Sequence, residues 1–426
     1  MTAIVGVLNK HAVAIAADSA VTVNVSSGHK VLNSANKIIT LSKLYPIAVM
    51  IYSSASFMGT PWDLIIKLYR NKLQDKEKSS IKEYVEDFIS FLKQKQFFCS
   101  DKNKTDALCY YAFVYYKKIE EEALLKIGEN VTDDNKPFLL KTIKEKMLSN
   151  KMFFEKQNQC EGLASYTFEQ FNSYVGDIFK GLRDYIVNKT GAPEEFFEIL
   201  KESFFALLKS EINLPSYTGL VFVGYGKDDI YPSLLPINIS LAFDNVVKYS
   251  IDMESSTVIG EDNAAAICPF AQTDVIETVL TGIDPLLNKS IENLFIKSLE
   301  AYSKLLKTYV ESTTNDVSLL KRIDSIDIPS IGTIFNDAIQ QLISKQYIAP
   351  LVDTVAYLEK EDMADMAESL ISLTYLKRRM TSSEESVGGP VDVAIISKTD
   401  GVIWIKRKHY FKPELNHHFF DNYYKF

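Results

Sequence analysis

The chain opens on short apolar runs, not on a helical stripe. Ala3-Ile4-Val5-Gly6-Val7 is β-rich, Asn9-Lys10-His11 reads as a turn, and Ala12-Val13-Ala14-Ile15-Ala16-Ala17 is a second apolar run. Brief apolar runs bounded by turn residues are the pattern of buried strands. Residues 38–41 and 47–52 predict two more strands. A helix is expected from about Thr60, with Pro61 in its first turn, where a missing N–H removes no helical bond. Leu64, Ile65, Leu68 and Leu73 supply its apolar side.

From residue 79 to 214 the pattern changes to helical spacing with few glycines and prolines. Over 81–98, Tyr84, Val85, Phe88, Ile89, Phe91 and Leu92 fall on one side of a helix. The segment predicts four to six helices, with a stop and restart at Gly191-Ala192-Pro193-Glu194-Glu195. Strand pattern returns at 218–224, 231–239 and 246–253, the first two separated by a turn at Tyr225-Gly226-Lys227-Asp228-Asp229. A helix is expected over 262–280 and another helical block over 286–309, with irregular sequence leading into 331–358. In 361–379, Met363, Met366, Ala367, Leu370, Ile371 and Thr374 sit at amphipathic helical spacing. Residues 391–396, a turn at Thr399-Asp400-Gly401, and 402–406 read as a hairpin. Two antiparallel sheets covered by helices on their outer faces satisfy this order, an α+β class.

Composition narrows the function classes. With 426 residues and 46% hydrophobic content, the chain can bury one large core or two to three ordinary ones. A net charge of -8 argues against nucleic acid as the main partner, because phosphate binding needs an excess of Lys and Arg. Cys99, Cys109, Cys160 and Cys268 are scattered, with no metal-ligand spacing, as in a reduced cytosolic protein. No metal and no cofactor is expected. A secretory leader and a membrane-length apolar stretch are both missing from the pattern, so a cytoplasmic location without membrane attachment is expected. Gly224-Tyr225-Gly226 lacks the following helix of a nucleotide loop. His417-His418 reads as part of a solvated or packed tail, and the aromatic stretch after it as a packed C-terminal extension.

The ordered set of blocks resembles the proteasome β-type family of N-terminal-nucleophile hydrolases. Thr2-Ala3-Ile4-Val5-Gly6-Val7, then Val13-Ala14-Ile15-Ala16-Ala17-Asp18-Ser19, then Asn36-Lys37-Ile38 is similar to the family's threonine start, its strand end in Ala-Ala-Asp-Ser, and its Lys-Ile strand start. Tyr52-Ser53-Ser54-Ala55-Ser56 stands where the family has a small-residue turn. Thr218 to Gly226 resembles its strand ending in Gly-Tyr, and Tyr231-Pro232-Ser233-Leu234-Leu235 its partner. Ile259-Gly260 followed by Ala264-Ala265-Ala266 resembles its glycine turn into a helix, and Ser386-Val387-Gly388-Gly389 its late strand entry. About half of the chain is covered. The resemblance implies a four-layer αββα sandwich built from 1–75, 216–280 and 350–410, with helical insertions at 76–215 and 281–349 and an extension at 411–426.

The chemistry it implies starts at Thr2. A neutral threonine hydroxyl is a poor nucleophile and needs a base. At a chain start, after removal of Met1, the α-amine supplies one, with a pKa in peptides of about 7.7–8.0. By resemblance Lys37 lowers that amine's proton affinity and stabilises the alkoxide, and Asp18 holds Lys37 charged and oriented. Backbone N–H groups near Tyr52 and Ser53 would form the oxyanion hole, and Met50 would wall the substrate pocket. The family has glycines where Tyr52 and Ser53 stand. Its supporting Asp falls nearest Glu384, one supporting Ser on Ser386 or Val387, and the other near Gly260-Glu261. The expected activity is a threonine-type peptidase or amidase acting on a peptide or protein, with a homo-oligomer and an ATPase or activator as the partners the resemblance suggests. Two other readings stay open: a proteasome-like scaffold without catalysis that binds partners, and a hydrolase of a small amide metabolite.

Overall fold

The computed structural model describes the chain except for residues 1, 26–27, 95–98, 129–131, 133, 315, 382–386, 410 and 419–426. It is a mixed α+β protein with antiparallel strand pairing throughout the two larger sheets where registers are defined. In chain order the first strands are β1 Ala3–Asn9, β2 Val13–Ala17, β3 Val21–Val25, β4 Gly28–Leu32, β5 Ile38–Thr40, β6 Ile47–Ser53, β7 Ser56–Phe57 and β8 Thr60–Pro61. Helices α1 Trp62–Leu73, α2 Ile81–Gln94, α3 Asp101–Ile127, α4 Lys136–Glu155, α5 Phe168–Val175, α6 Lys180–Thr190 and α7 Glu194–Lys209 follow. Then come β9 Thr218–Gly224, β10 Ser233–Phe243, β11 Val246–Ile251, β12 Thr257–Val258 and β13 Ala265–Ala271. The chain continues through α8 Asp274–Thr281, α9 Pro285–Thr313, α10 Val317–Asp324, α11 Ile328–Ile343, α12 Ala349–Val355 and α13 Lys360–Met380, to β14 Asp392–Ser397 and β15 Gly401–Lys406. It divides into two compact units. One holds Met1–Ala35, Ile259–Ile395 and Trp404–Phe426; the other holds Asn36–Val258 and Ile396–Ile403.

The first unit contributes β13, β1 and β2 to a sheet of order β13-β1-β2-β14-β15. Ala3, Val5 and Val7 of β1 and Ala12, Ala14 and Ala16 along β2 join one core with Ile276 of α8 and Met363, Ala367, Leu370 and Ile371 of α13. The alanines explain the fit: with so little side chain on β2, the α13 backbone can approach the sheet closely. Ile4 and Leu8, on the opposite face of β1, are also fully buried. Both faces of β1 and β2 are therefore out of water, which is why these two strands read as continuous apolar runs.

The second unit carries a sheet of order β11-β10-β9-β6-β5. Ile47, Val49 and Ile51 of β6, with Leu220 and Phe222 of β9, meet Trp62, Ile65, Ile66 and Tyr69 of α1 and Tyr84, Val85 and Phe88 of α2. So α2, inside the segment 76–215, shares in covering the sheet. Helices α3 to α7 build their own aromatic core, with Tyr116, Phe171, Phe204 and Phe205, closed against Leu241 and Phe243 of β10. Gly191 ends α6 in the left-handed conformation at φ 70°, and Pro193 precedes α7, as the stop and restart required.

Four expectations are corrected. Thr60 and Pro61 pair with Ser56 and Phe57 in a small ribbon, and the helix begins at Trp62 with Pro61 as its N-cap. The helix expected over 262–280 is instead β13 followed by α8. Its alanines favour helix intrinsically, but pairing of Ala265 to Ala271 with β1 overrides that propensity. Pro269 suits the outcome, because β13 is an edge strand and loses no ladder bond on its open side. The irregular stretch before 331 contains α10 and the start of α11, each opened by an aspartate N-cap, Asp316 and Asp327. Finally, β3 and β4 form a hairpin that the apolar pattern had not marked.

Candidate active site

Thr2 stands immediately before β1, the strand flanked by β13 and β2. It is 4% exposed. Its carbonyl accepts the Gln272 N–H at 3.1 Å, extending the β1–β13 ladder by one residue. Ala271, which precedes Gln272, has φ 68°. That left-handed conformation is uncommon for a residue with a Cβ and stores local strain.

Asp18 is bound to the same strand start from the other side. Its N–H donates to Ala3 O at 3.1 Å, and its Oδ1 accepts the Ala3 N–H at 2.9 Å. Oδ2 accepts the Ala20 N–H at 3.0 Å and the Gly388 N–H at 3.2 Å. Asp18 is 1% exposed, so three backbone donors hold a buried carboxylate one residue from Thr2. Gly388 also returns a bond, its carbonyl accepting the Ser19 N–H at 3.0 Å. Gly389 follows at φ 77°, and a Cβ there would meet Asn33 Cβ and O at 3.0 Å. The Gly-Gly pair thus serves a close backbone approach to the Asp18-Ser19 turn. Ser19 Oγ completes the clasp by donating to Pro390 O.

A polar relay lies beyond Gln272. Its Oε1 accepts from Arg378 Nε at 2.6 Å, and Arg378 is ion-paired with Asp274. Lys377 bridges Asp274 and Asp284, each at 3.1 Å. Sequence reasoning passed over Gln272 because it lay in the segment read as helix. Arg378 gave no signal distinguishing it from an ordinary basic residue near a helix C-terminus.

The second unit gathers the other candidates. Lys37 precedes β5 and is 3% exposed, its carbonyl accepting the Ile51 N–H at 2.8 Å. Met50, fully buried on β6, lies opposite Ile38 in the β5–β6 register. Tyr52 lies opposite Gly219 on β9, and its ring fills the space a Cβ on Gly219 would need, at 1.9 Å. Its hydroxyl donates to Asn238 Oδ1 at 3.2 Å, two strands away. Burial, with lesser contributions from Tyr217 and Asp252, pushes the Tyr52 phenol well above its ordinary range. The side chain is therefore a sheet-packing group at neutral pH. Ser53 is exposed and sits at φ 67°. The left-handed backbone that glycine would adopt easily is kept here without glycine.

Of the candidates named from sequence, Thr2 and Asp18 are brought together at the start of β1, and Lys37, Met50, Tyr52 and Ser53 cluster around the β5–β6 pair. Gly260, in the first unit, donates its N–H to Asn263 O at 3.0 Å and has open space where a Cβ would stand. Glu384 and Ser386 lie outside the described residues, as does the aromatic stretch from residue 419. Cavities of about 230, 350 and 340 Å³ lie among α3 to α7, and none of these three is lined by Thr2, Asp18 or Lys37. Among the described residues no helix is long and apolar enough to cross a membrane, and no group of three His, Cys, Asp or Glu side chains is placed to hold a metal. No protein-family model matches the chain, and no curated protein matches it in sequence.

Proposed function

We propose that the chain is a threonine-type hydrolase of the N-terminal-nucleophile class, cleaving amide bonds through Thr2 after removal of Met1, on a four-layer αββα fold. Support for the fold comes from the burial of both faces of β1, with α8 and α13 on one of them. In the second sheet, Val49 and Ile51 face α1 and α2, while Ala48 and Met50 on the opposite face are equally buried. The observation that carries the chemistry is the reciprocal pair of hydrogen bonds between Asp18 and Ala3, which fixes a buried carboxylate beside the candidate nucleophile.

In this reading the Thr2 α-amine takes the hydroxyl proton as Oγ attacks the amide carbon. The amine side of the substrate leaves with that proton, and an ester to Oγ remains. Water, activated by the same amine, then cleaves the ester and restores Thr2. By the family resemblance, Lys37 would stabilise the oxygen charge, with Asp18 as its counter-ion. The strained backbone at Ser53 supports an oxyanion role for the turn after β6, because such conformations persist where the surroundings impose them and cluster at functional sites.

The direct test is hydrolysis of fluorogenic peptides, unfolded protein and a panel of small amides by the full chain and by Thr2→Ala. Loss of a hydroxyl nucleophile is expected to cut kcat/KM by at least about 10³-fold, on the scale of other removed nucleophiles. Activity unchanged in Thr2→Ala would overturn the assignment.

A further inference from the structure

Helix α9 spans 29 residues, about 43 Å, and not one of them is buried. Its start is nonetheless well defined, with Asp284 accepting the Leu286 and Leu287 N–H groups. One side of the helix is partly used. Phe295 stacks on Phe335 of α11 with ring centroids 3.9 Å apart, and Gly332 lets Ile296 approach closely. A neighbouring side of α9 carries Leu287, Leu294, Tyr302, Leu305 and Tyr309, all exposed, and α11 adds Ile331, Ile334 and Leu342. Leu294 and Leu305 are 62% and 68% exposed. Helices in water draw most of their stability from burying such a face, so this one lacks its counterpart.

We propose that this face is the seat of a second copy of the same chain, docked antiparallel with α9 against α9 to complete a four-helix bundle with the two α11 helices. Three observations carry this. The first is the spacing of the stripe. Leu287, Ile291, Leu294, Ser298, Tyr302, Leu305 and Tyr309 are separated by four, three, four, four, three and four residues, a sequence that reads the same in both directions about Ser298. An antiparallel two-fold axis at Ser298 therefore sets Leu287 of one copy against Tyr309 of the other, Ile291 against Leu305, and Leu294 against Tyr302. The small Ser298 stands on the axis, where close approach is needed. An isologous interface requires this kind of self-matching, and the stripe repeats every eleven residues, from 287 to 298 to 309, close to the natural period of a straight helix and suited to a long contact with a slight right-handed twist.

The second is area. A fully exposed large apolar side chain offers about 150–200 Å², so the eight exposed ones together present on the order of 800 Å². That is one partner's share of a standard stable interface and more than the largest apolar patch of a typical monomer, about 300–600 Å². The third is charge. Residues 285–345 contain seven Lys or Arg and seven Asp or Glu, a net of zero within a chain of net -8. A neutral, mixed surface can meet its own copy without repulsion, whereas an anionic membrane or a nucleic acid would call for a basic face.

The test uses the full chain at micromolar concentration. Sedimentation equilibrium should give twice the chain mass of 48.2 kDa, and the pair Leu294→Glu with Leu305→Glu should give the monomer with an unchanged circular dichroism spectrum. Under mild oxidation Ser298→Cys should cross-link to its own copy at least tenfold faster than Ser312→Cys, which lies far from the axis. Because Ser298 is exposed, this second variant reads out even if the glutamate pair fails to fold. A monomeric wild type at tens of micromolar, equal cross-linking at the two positions, or sedimentation with anionic lipid vesicles in place of self-association would overturn the proposal.

Discussion

Removing the Asp18 carboxylate should loosen the start of β1 by an amount the hydrogen bonds set. The carboxylate accepts three backbone N–H groups, from Ala3, Ala20 and Gly388, at 2.9 to 3.2 Å. Hydrogen bonds to a charged group contribute about 1.5–3 kcal/mol each, and a buried donor left without a partner costs about 1–3 kcal/mol. Asp18→Ala strands all three donors at a site 1% exposed. Even with partial relaxation the loss should reach about 4–6 kcal/mol, a large part of the 5–15 kcal/mol typical of a whole domain. Asp18→Asn keeps one oxygen. If that oxygen serves Ala20 and Gly388, only the bond to Ala3 is lost, at about 1–3 kcal/mol. Amide hydrogen exchange followed by mass spectrometry on peptides covering β1 and β2 reads this locally, without assuming that both units unfold together. The alanine variant should lose about 10³-fold or more in protection and the asparagine variant about tenfold to 100-fold. A loss below about fivefold in the alanine variant would refute the idea that Asp18 fixes the strand beside Thr2.

Three further outcomes follow from the same geometry. Gly219→Ala puts a Cβ within 1.9 Å of the Tyr52 ring, so it should destabilise the protein by about 1–3 kcal/mol, read as a fall in urea midpoint; pairing it with Tyr52→Ala should restore part of the loss. Burial pushes the Tyr225 phenol up to about 12 from an ordinary value of 10.0. A folded-state pKa above the unfolded one contributes stability below pH 10 that is lost as pH rises towards 12, so Tyr225→Phe should flatten the fall in melting temperature over that interval, and an identical slope would contradict the assignment. Ala at Gly389 meets both a positive φ of 77° and the Asn33 backbone, and should cost at least about 1 kcal/mol in chemical denaturation while lowering exchange protection at Ser19.

Much of the fold was legible because burial on both sheet faces leaves a plain signature. β1, β2, β6 and β9 are short apolar runs between turn residues, and they appear where those runs are. Helix α13 was equally readable, since Met363, Ala367, Leu370 and Ile371 keep helical period and are buried together. β13 was not, because Ala265-Ala266-Ile267-Cys268 favours helix locally and only its pairing with β1 decides otherwise. Pro269 was the available warning, a residue costly inside a helix and tolerated on a sheet edge. At the site, the Asp18 position could be named from sequence, but its three backbone partners could not. They come from Ala3, Ala20 and Gly388, and the last is 370 residues away. The role of Gly388-Gly389 likewise becomes physical only when the Asp18-Ser19 turn is seen against it.

If Thr2 is a nucleophile with a free α-amine, covalent labelling will report it directly. The full chain is treated with a hydroxyl-acylating β-lactone, digested and mapped by mass spectrometry. The expected product is an N-terminal peptide that begins at Thr2 and carries one acyl group on Oγ, absent from Thr2→Ala and at least about 100-fold slower to form in Lys37→Ala. Active protein that retains Met1, or acylation confined to other residues, would contradict it.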